Sequence, residues 1–176
     1  MRLKKIYDFN KIILEKLSIK HLEDIHEYSQ IPSFFKYLEF KEFNHKKETV
    51  KYLKKRIKEN DFESSFWWAI KLKKKNKTIG TFVIHNFEKS RASCEISYGI
   101  SPLFQGHGYF KLIVNNIIKI LEKNNINRIQ AITHFKNKAS IHGLLNCGFK
   151  KEGVLRNYFF DNKKKKYNNA VILSKV

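Results

Sequence analysis

Between Cys94 and Leu121 the periodicity of the chain changes once, across a glycine turn, and that change fixes the centre of the fold. Cys94, Ile96, Tyr98 and Ile100 alternate with Glu95, Ser97 and Gly99, the period of a strand with one apolar and one polar face. After Pro102 comes Gln105-Gly106-His107-Gly108, and then Phe110, Ile113, Val114, Ile117, Ile118 and Leu121 recur at helical spacing. A strand that turns through glycines into a long helix leaves the first helical amides without partners, at the positive end of the helix dipole. Such a turn suits a phosphate or pyrophosphate, and glycine lets the backbone approach it closely. The same pattern also suits a plain strand-to-helix turn. It has neither the Gly-Lys-Ser/Thr of a Walker loop nor the third glycine of a dinucleotide fingerprint.

Around this centre the spacing predicts further elements in a simple order. Ile12 to Leu17 reads as a first strand, and Ser18 as the cap of a helix carrying Ile19, Leu22, Ile25 and Ser29. Pro32 ends that helix, and 31–43 is aromatic-rich and irregular. Val50, Leu53 and Ile57 lie on a second, basic helix running to about Asn60. Phe66 to Ile70 and Ile79 to Ile84 read as an antiparallel pair turning near Asn76, with Trp67 and Trp68 expected in the core. Beyond the long helix come a strand over Arg128 to His134 and a helix from Asn137 to Gly148. Two strands over about 149–160 and 167–174 complete the order, flanking a solvated Lys-rich turn at Asp161 to Lys166. The order βααβββαβαββ is a mixed α/β sheet with helices packed on it. No linker or repeat divides the 176 residues, so one domain over 1–176 is expected.

Composition narrows the function. The net charge is +20, but only five of the 36 basic residues are Arg, the side chain whose planar fork suits phosphates and guanine edges. A bias towards Lys, Asn and Ile explains the charge as readily as a ligand does. Cys94 and Cys147 are too far apart for a CxxC site and read as buried thiols. No His/Cys spacing for a metal appears, and the longest apolar run, Phe66 to Ile70, is far short of a membrane span of roughly 20 residues. A cytoplasmic protein with no metal and no membrane partner is expected.

Four segments, taken together, resemble the GNAT N-acetyltransferase superfamily and its RimJ/RimL-like branch over about Lys11 to the end. Gln105-Gly106-His107-Gly108-Tyr109 is similar to the acyl-CoA pyrophosphate loop. Cys94 to Ile100 resembles the branch's A-E-I-G-Y-W-I strand, Asn137 to Ser140 its N-x-x-S, and Cys147 to Arg156 its L-G-F-x-x-E-G-x-L-R. The resemblance implies a largely antiparallel, seven-stranded sheet, two central parallel strands that splay apart, and about four helices. It implies acetyl-CoA as co-substrate, with its pyrophosphate on the amides of Gln105, Gly106, His107, Gly108, Tyr109 and Phe110. The pantetheine arm would lie along the strand near Ile100 and touch Asn137, with Lys111 and Lys138 available to the coenzyme's phosphates. An amine would attack the thioester directly in a ternary complex, without an acyl-enzyme.

Within that resemblance Glu95 is the candidate general base, acting through a water, and Ser140 the group that hydrogen-bonds and protonates the thiol. Asn137 also reads as a helix N-cap, backbone amides near Tyr98 and Ile100 as oxyanion donors, and Cys147 as packing. Phe110 departs from the Gly or Ala of the loop pattern, and also reads as the first core residue of its helix. Phe34, Phe35, Tyr37 and Phe40 supply aromatic surface for an acceptor pocket. The acceptor expected first is a protein N-terminal amine, as on ribosomal proteins, or a small primary amine; a nucleotide-linked amino sugar is the alternative. The charge disfavours polycations and suits anionic or ribosome-associated acceptors. A basic RNA- or ribosome-binding module without catalysis is the other class, nucleic acid not being required for the enzyme reading. A monomer or homodimer is expected.

Overall fold

The computed structural model describes residues 3–39, 41–61, 65–161 and 164–176. Phe40 of the aromatic segment, and Asn162 and Lys163 of the Lys-rich turn, lie outside the described residues. The described elements are β1 (Ile6–Phe9), β2 (Ile12–Lys16), α1 (Leu22–Ser29), α2 (Lys46–Asp61), β3 (Ser65–Leu72), β4 (Lys77–Glu88), β5 (Ser93–Ile100), α3 (Tyr109–Glu122), β6 (Arg128–His134), α4 (Lys138–Leu145), β7 (Lys150–Asp161) and β8 (Lys166–Lys175). They form one sheet in the order β1-β2-β3-β4-β5-β6-β8-β7, antiparallel except for the β5–β6 pair.

The mixed fold and the helices stand where the spacing puts them, but the sheet has eight strands rather than seven. The additional strand, β1, is a short edge hairpin on β2, turned at Asn10 with φ 67°. Its four residues, Ile6-Tyr7-Asp8-Phe9, carry too little apolar pattern to be read without their partner strand. Ser18 begins its helix as expected, through a 3₁₀ turn over Ile19–His21 in which the Ser18 amide donates to His21 Nδ1.

Two cores lie on opposite faces of the sheet. On one face α3 buries Ile113, Val114, Ile117, Ile118 and Leu121 against Ile70, Phe82, Ile84 and Ile96, with Leu144 of α4 in the same cluster. On the other face Leu17, Ile25, Tyr28, Leu53 and Ala69 join α1 and α2 to the sheet. The alternation of β3 separates the two tryptophans: Trp68 is in the larger core, whereas Trp67 is only partly buried, on the α2 side. Asn60 fixes the end of α2 by accepting from the Trp67 amide at 2.8 Å and donating to its carbonyl at 3.1 Å. Among the described residues no helix is long and apolar enough to cross a membrane.

At the far edge, Arg128 of β6 reaches across β8 to Glu152 of β7, donating at 2.7 Å, and Ser174 also donates to that carboxylate. The Arg128 bonds, with Ser174 second, hold the Glu152 carboxyl down at about 2. A depressed carboxyl contributes stability that is complete above its unfolded value, near 4.5, and is lost as pH falls through about 2. Chemical denaturation should therefore find Glu152→Gln less stable than the parent at pH 6, with the gap narrowing towards pH ~2; an unchanged gap at low pH would contradict this role.

Candidate functional site

The parallel ladder between β5 and β6 is short. Ser93, Cys94 and Glu95 pair with Arg128, Ile129 and Gln130, and past that point β5 follows β4 to Ile100 while β6 follows β8 to His134. The two strands splay, and a cleft of about 310 Å³ opens beyond them, lined by Tyr98, Gly99 and Ile100, by 104–110, and by Asn137, Ala139 and Ser140. Phe34, Tyr37 and Leu38 of the irregular segment close its other side.

The glycine turn has the geometry that can hold an anion. Gly106 and Gly108 have φ of 80° and 76°, in the left-handed region, and a Cβ at either would meet nothing within 4 Å, so their outer face is open. Gly108 is the N-cap of α3 and brings no side-chain cap. The first α3 hydrogen bond runs from the Leu112 amide to the Gly108 carbonyl, leaving the preceding amides as free-pointing donors at the positive end of a 14-residue helix. Gln105 holds the turn in place by donating from Nε2 to the Ile100 carbonyl at 2.9 Å. Lys111 and Lys138 are exposed near the starts of their helices. These donors and this shape fit the pyrophosphate and pantetheine of an acyl-CoA.

Phe110 lines the cleft and also packs against the core, so both readings of its position are realised. Its ring lies 4.4 Å from that of Tyr98, and a Cβ at Gly143 would stand 2.8 Å from its edge. The bulk that departs from the loop pattern is thus taken up by a glycine on α4.

Ser140 and Asn137 come together at the start of α4. Asn137 Oδ1 accepts from the Ser140 amide at 3.2 Å, as an N-cap does. Ser140 Oγ lies 2.7 Å from the Tyr98 hydroxyl, whose phenol is pushed well up by burial and so stays protonated. Tyr98 is the partner that the sequence reading misses: its apolar ring satisfies the strand pattern, and only the fold brings α4 over it.

Glu95 is elsewhere. It sits at the closed end of the splay, 7% exposed, on the opposite face of β5 from Tyr98. Its Oε2 accepts from Asn86 at 3.3 Å and Gln130 at 3.2 Å, and Oε1 lies 3.9 Å from His85 Nε2, which is itself 2.9 Å from Ser97 Oγ. A polar row, Glu95–His85–Ser97, therefore runs along β5 towards Gly99. Glu95 and Ser140 are not in one constellation. They lie on the two faces of the strand that ends at the splay.

A second cleft, about 430 Å³, opens at the end of β6 between His134, Phe159, Asp161 and residues from Pro32 to Glu39 with Lys41 and Glu42. His134 Nδ1 accepts from the Lys136 amide at 3.1 Å, and burial, with Lys136 second, lowers its pKa, leaving a neutral ring with Nε2 as donor at pH 7. His134 stacks on Phe135 and Phe159. Cys94 and Cys147 are buried and unbonded to each other, and burial pushes both thiols up, Cys94 to about 12, so neither is a ready nucleophile.

With this geometry in hand, the chain can be set beside known proteins. The acetyltransferase (GNAT) domain family matches residues 11–150. The sequence is 31% identical over 96 residues to the uncharacterized N-acetyltransferase YoaA of Bacillus subtilis (strain 168), covering 54% of each chain, so the match spans about half of that relative. The fold superposes on the microcin C7 self-immunity acetyltransferase MccE, in complex with acetyl-CoA and AMP, with a TM-score of 0.86 and 24% identity over 95% of this chain and 93% of that one. On RimL, the ribosomal L7/L12 α-N-protein acetyltransferase in complex with coenzyme A, the TM-score is 0.85 with 16% identity over 97% of both chains. At these identities the two structures speak for the fold alone.

Proposed function

Because the chain belongs to the GNAT acetyltransferase family, we propose that it transfers an acetyl group from acetyl-CoA to a primary amine by direct attack in a ternary complex. The observation that carries this reading is the splayed β5–β6 pair with an uncapped, glycine-flanked helix N-terminus at its mouth. Acetyl-CoA supplies the activated acetyl carbonyl and the thiolate leaving group. The amides of residues 105–110 hold its pyrophosphate, and Ile100 and Asn137 border the pantetheine.

The remaining chemistry falls to two side-chain groups. Glu95 takes the proton of the acceptor ammonium by way of water and the His85–Ser97 row, since its carboxylate has no direct opening to the cleft. Ser140 Oγ, supported by the Tyr98 hydroxyl, donates to the departing sulfur. In balance, a C–N bond forms and the C–S bond breaks; the ammonium gives one proton towards Glu95 before it attacks, and the second proton, lost as the amide forms, replaces the one that the Ser140–Tyr98 hydroxyls pass to the thiolate, so both hydroxyls end protonated.

The acceptor we infer is a protein N-terminal or other small primary amine, in the RimJ/RimL-like branch. The strand 94–100, the Asn137–Ser140 cap and the 147–156 segment support that branch. Thermal denaturation with acetyl-CoA tests the first step. At about 100 times the dissociation constant a ligand of the folded state adds about 2.7 kcal/mol, which raises Tm by roughly 5–11 °C for a chain of this size. No shift at saturating acetyl-CoA would remove the enzyme reading in favour of a basic binding module.

A further inference from the structure

A cavity of about 130 Å³ lies beneath the 31–43 segment, on the α1/α2 face of the sheet. It is separate from the cofactor cleft but shares with it Phe34, Leu38, Tyr98 and Gly99. Phe34 is the dividing wall: its Cζ lies 2.8 Å from where a Cβ on Gly99 would stand, so the ring rests directly on the strand backbone at the splay. Most of the wall is aromatic or aliphatic, with Phe35, Phe43, Tyr52, Trp67 and Val83, and the hydroxyl residues Ser29, Thr81 and Ser97 also line it.

Its charge is as informative as its shape. Among the described residues no carboxylate lines this cavity, and the single charged lining residue is Arg56. The Arg56 guanidinium lies over the rings of both Tyr52 and Trp67, at 5.2 and 4.9 Å, and donates to Glu59. Arg56 Nε and Trp67 Nε1 are buried without a hydrogen-bond partner among the described residues. Tyr28 and Tyr52 are held neutral by burial. Glu59 already neutralises Arg56, so an ammonium group entering here would find no carboxylate of its own on the described wall.

We propose that this cavity receives an uncharged apolar side chain, of about benzene size, carried by the acceptor next to its reactive amine. An apolar cavity of about 150 Å³ accommodates benzene, so at about 130 Å³ this one takes a branched aliphatic group as it stands, a phenyl with slight widening, and nothing larger. With that group behind Phe34, the amine stands beside Gly99 and Ser97, at the end of the polar row from Glu95. The acceptor is then an α-amine on an apolar residue, such as a peptide beginning with Phe or Leu, rather than a polyamine. The assignment rests on the acetyltransferase reading above for the position of the amine, but the cavity's preference is measurable without turnover.

The test is equilibrium binding of phenylalaninamide, alaninamide and lysinamide to the full chain in the presence of CoA. Phenylalaninamide is expected to bind at least ~10-fold tighter than either of the others, the effect of burying a phenyl side chain. Val83→Leu, which takes up part of the cavity, should cut that ratio several-fold. If Val83→Leu does not fold, Val83→Ala should instead shift the preference towards tryptophanamide. Equal affinities, no binding of any amide, or ratios unmoved by the variant that folds would overturn the proposal. Thiol release from acetyl-CoA is followed separately. Preferential binding with no thiol release would uphold the cavity and overturn the acetyltransferase reading. Thiol release with equal kcat/KM for phenylalaninamide and alaninamide would overturn the cavity assignment alone.

Discussion

Gly80→Ala is expected to destabilise the protein by about 3 kcal/mol or more, lowering Tm by roughly 6–12 °C, and to abolish acetyl-CoA binding in whatever fraction stays folded. Gly80 stands opposite Ile100 in the β4–β5 ladder, at the cleft end of β5 and beyond its last pair with β6. A Cβ there would lie 2.1 Å from the Gly99 carbonyl oxygen and 3.0 Å from Ile100 Cα. Both obstacles are backbone, so relief requires β4 and β5 to part at the residues that border the cleft. Gly106→Ala is the contrast. Nothing lies within 4 Å of its Cβ, and the cost is only that of a left-handed φ of 80°, about 1–2 kcal/mol. Thermal denaturation of the two variants, with and without acetyl-CoA, checks the ordering. Equal losses would mean that the tight β4–β5 contact does not support the cleft.

Glu95→Gln is expected to lower turnover by about 10²–10⁴ while leaving acetyl-CoA affinity within a few-fold of the parent. Glutamine keeps the side-chain length and one oxygen to accept from Asn86 or Gln130 at the closed end of the splay, far along β5 from the glycine turn. What it loses is the carboxylate that accepts the ammonium proton. Ser140→Ala should behave differently: it removes only the hydroxyl bonded to Tyr98, and its deficit should be largest with acceptors for which loss of the thiolate limits the rate. Steady-state kinetics and calorimetric binding of acetyl-CoA distinguish the two. Undiminished turnover in Glu95→Gln would assign the base elsewhere.

Much of this architecture is legible in the chain because its determinants are local. The change from two-residue to helical spacing across Gly106 and Gly108 marks β5, the turn and α3, and every α3 residue that the spacing marks from Ile113 to Leu121 is buried. Asn137 is legible as a cap because capping involves residues three apart in sequence. The charge of +20, by contrast, says little about the site. The free donors of the glycine turn are backbone amides, and among the described residues the one charged residue lining the apolar cavity is Arg56, its guanidinium over two aromatic rings.

What sequence alone could not supply is every relation between strands and faces. β1 becomes a strand only through β2, since four residues of weak alternation have no preference of their own. The bond between Tyr98 and Ser140, 42 residues apart, and the seating of Phe110 on Gly143 depend on how α4 lies over the splay. So does the separation of Glu95 from Ser140: parity along β5 puts them on opposite faces, but which elements cover each face is decided by packing. The sequence by itself determined every element but β1, the glycine turn into α3 and the resemblance that named a reaction, all from spacing within a few residues. Only the tertiary structure decided that the splay opens between Ile100 and His134, that His85 and Ser97 line up beside Glu95, and that Phe34 stands between two clefts. Those are contacts between residues far apart in the chain, fixed by the close packing of two helical layers on one sheet.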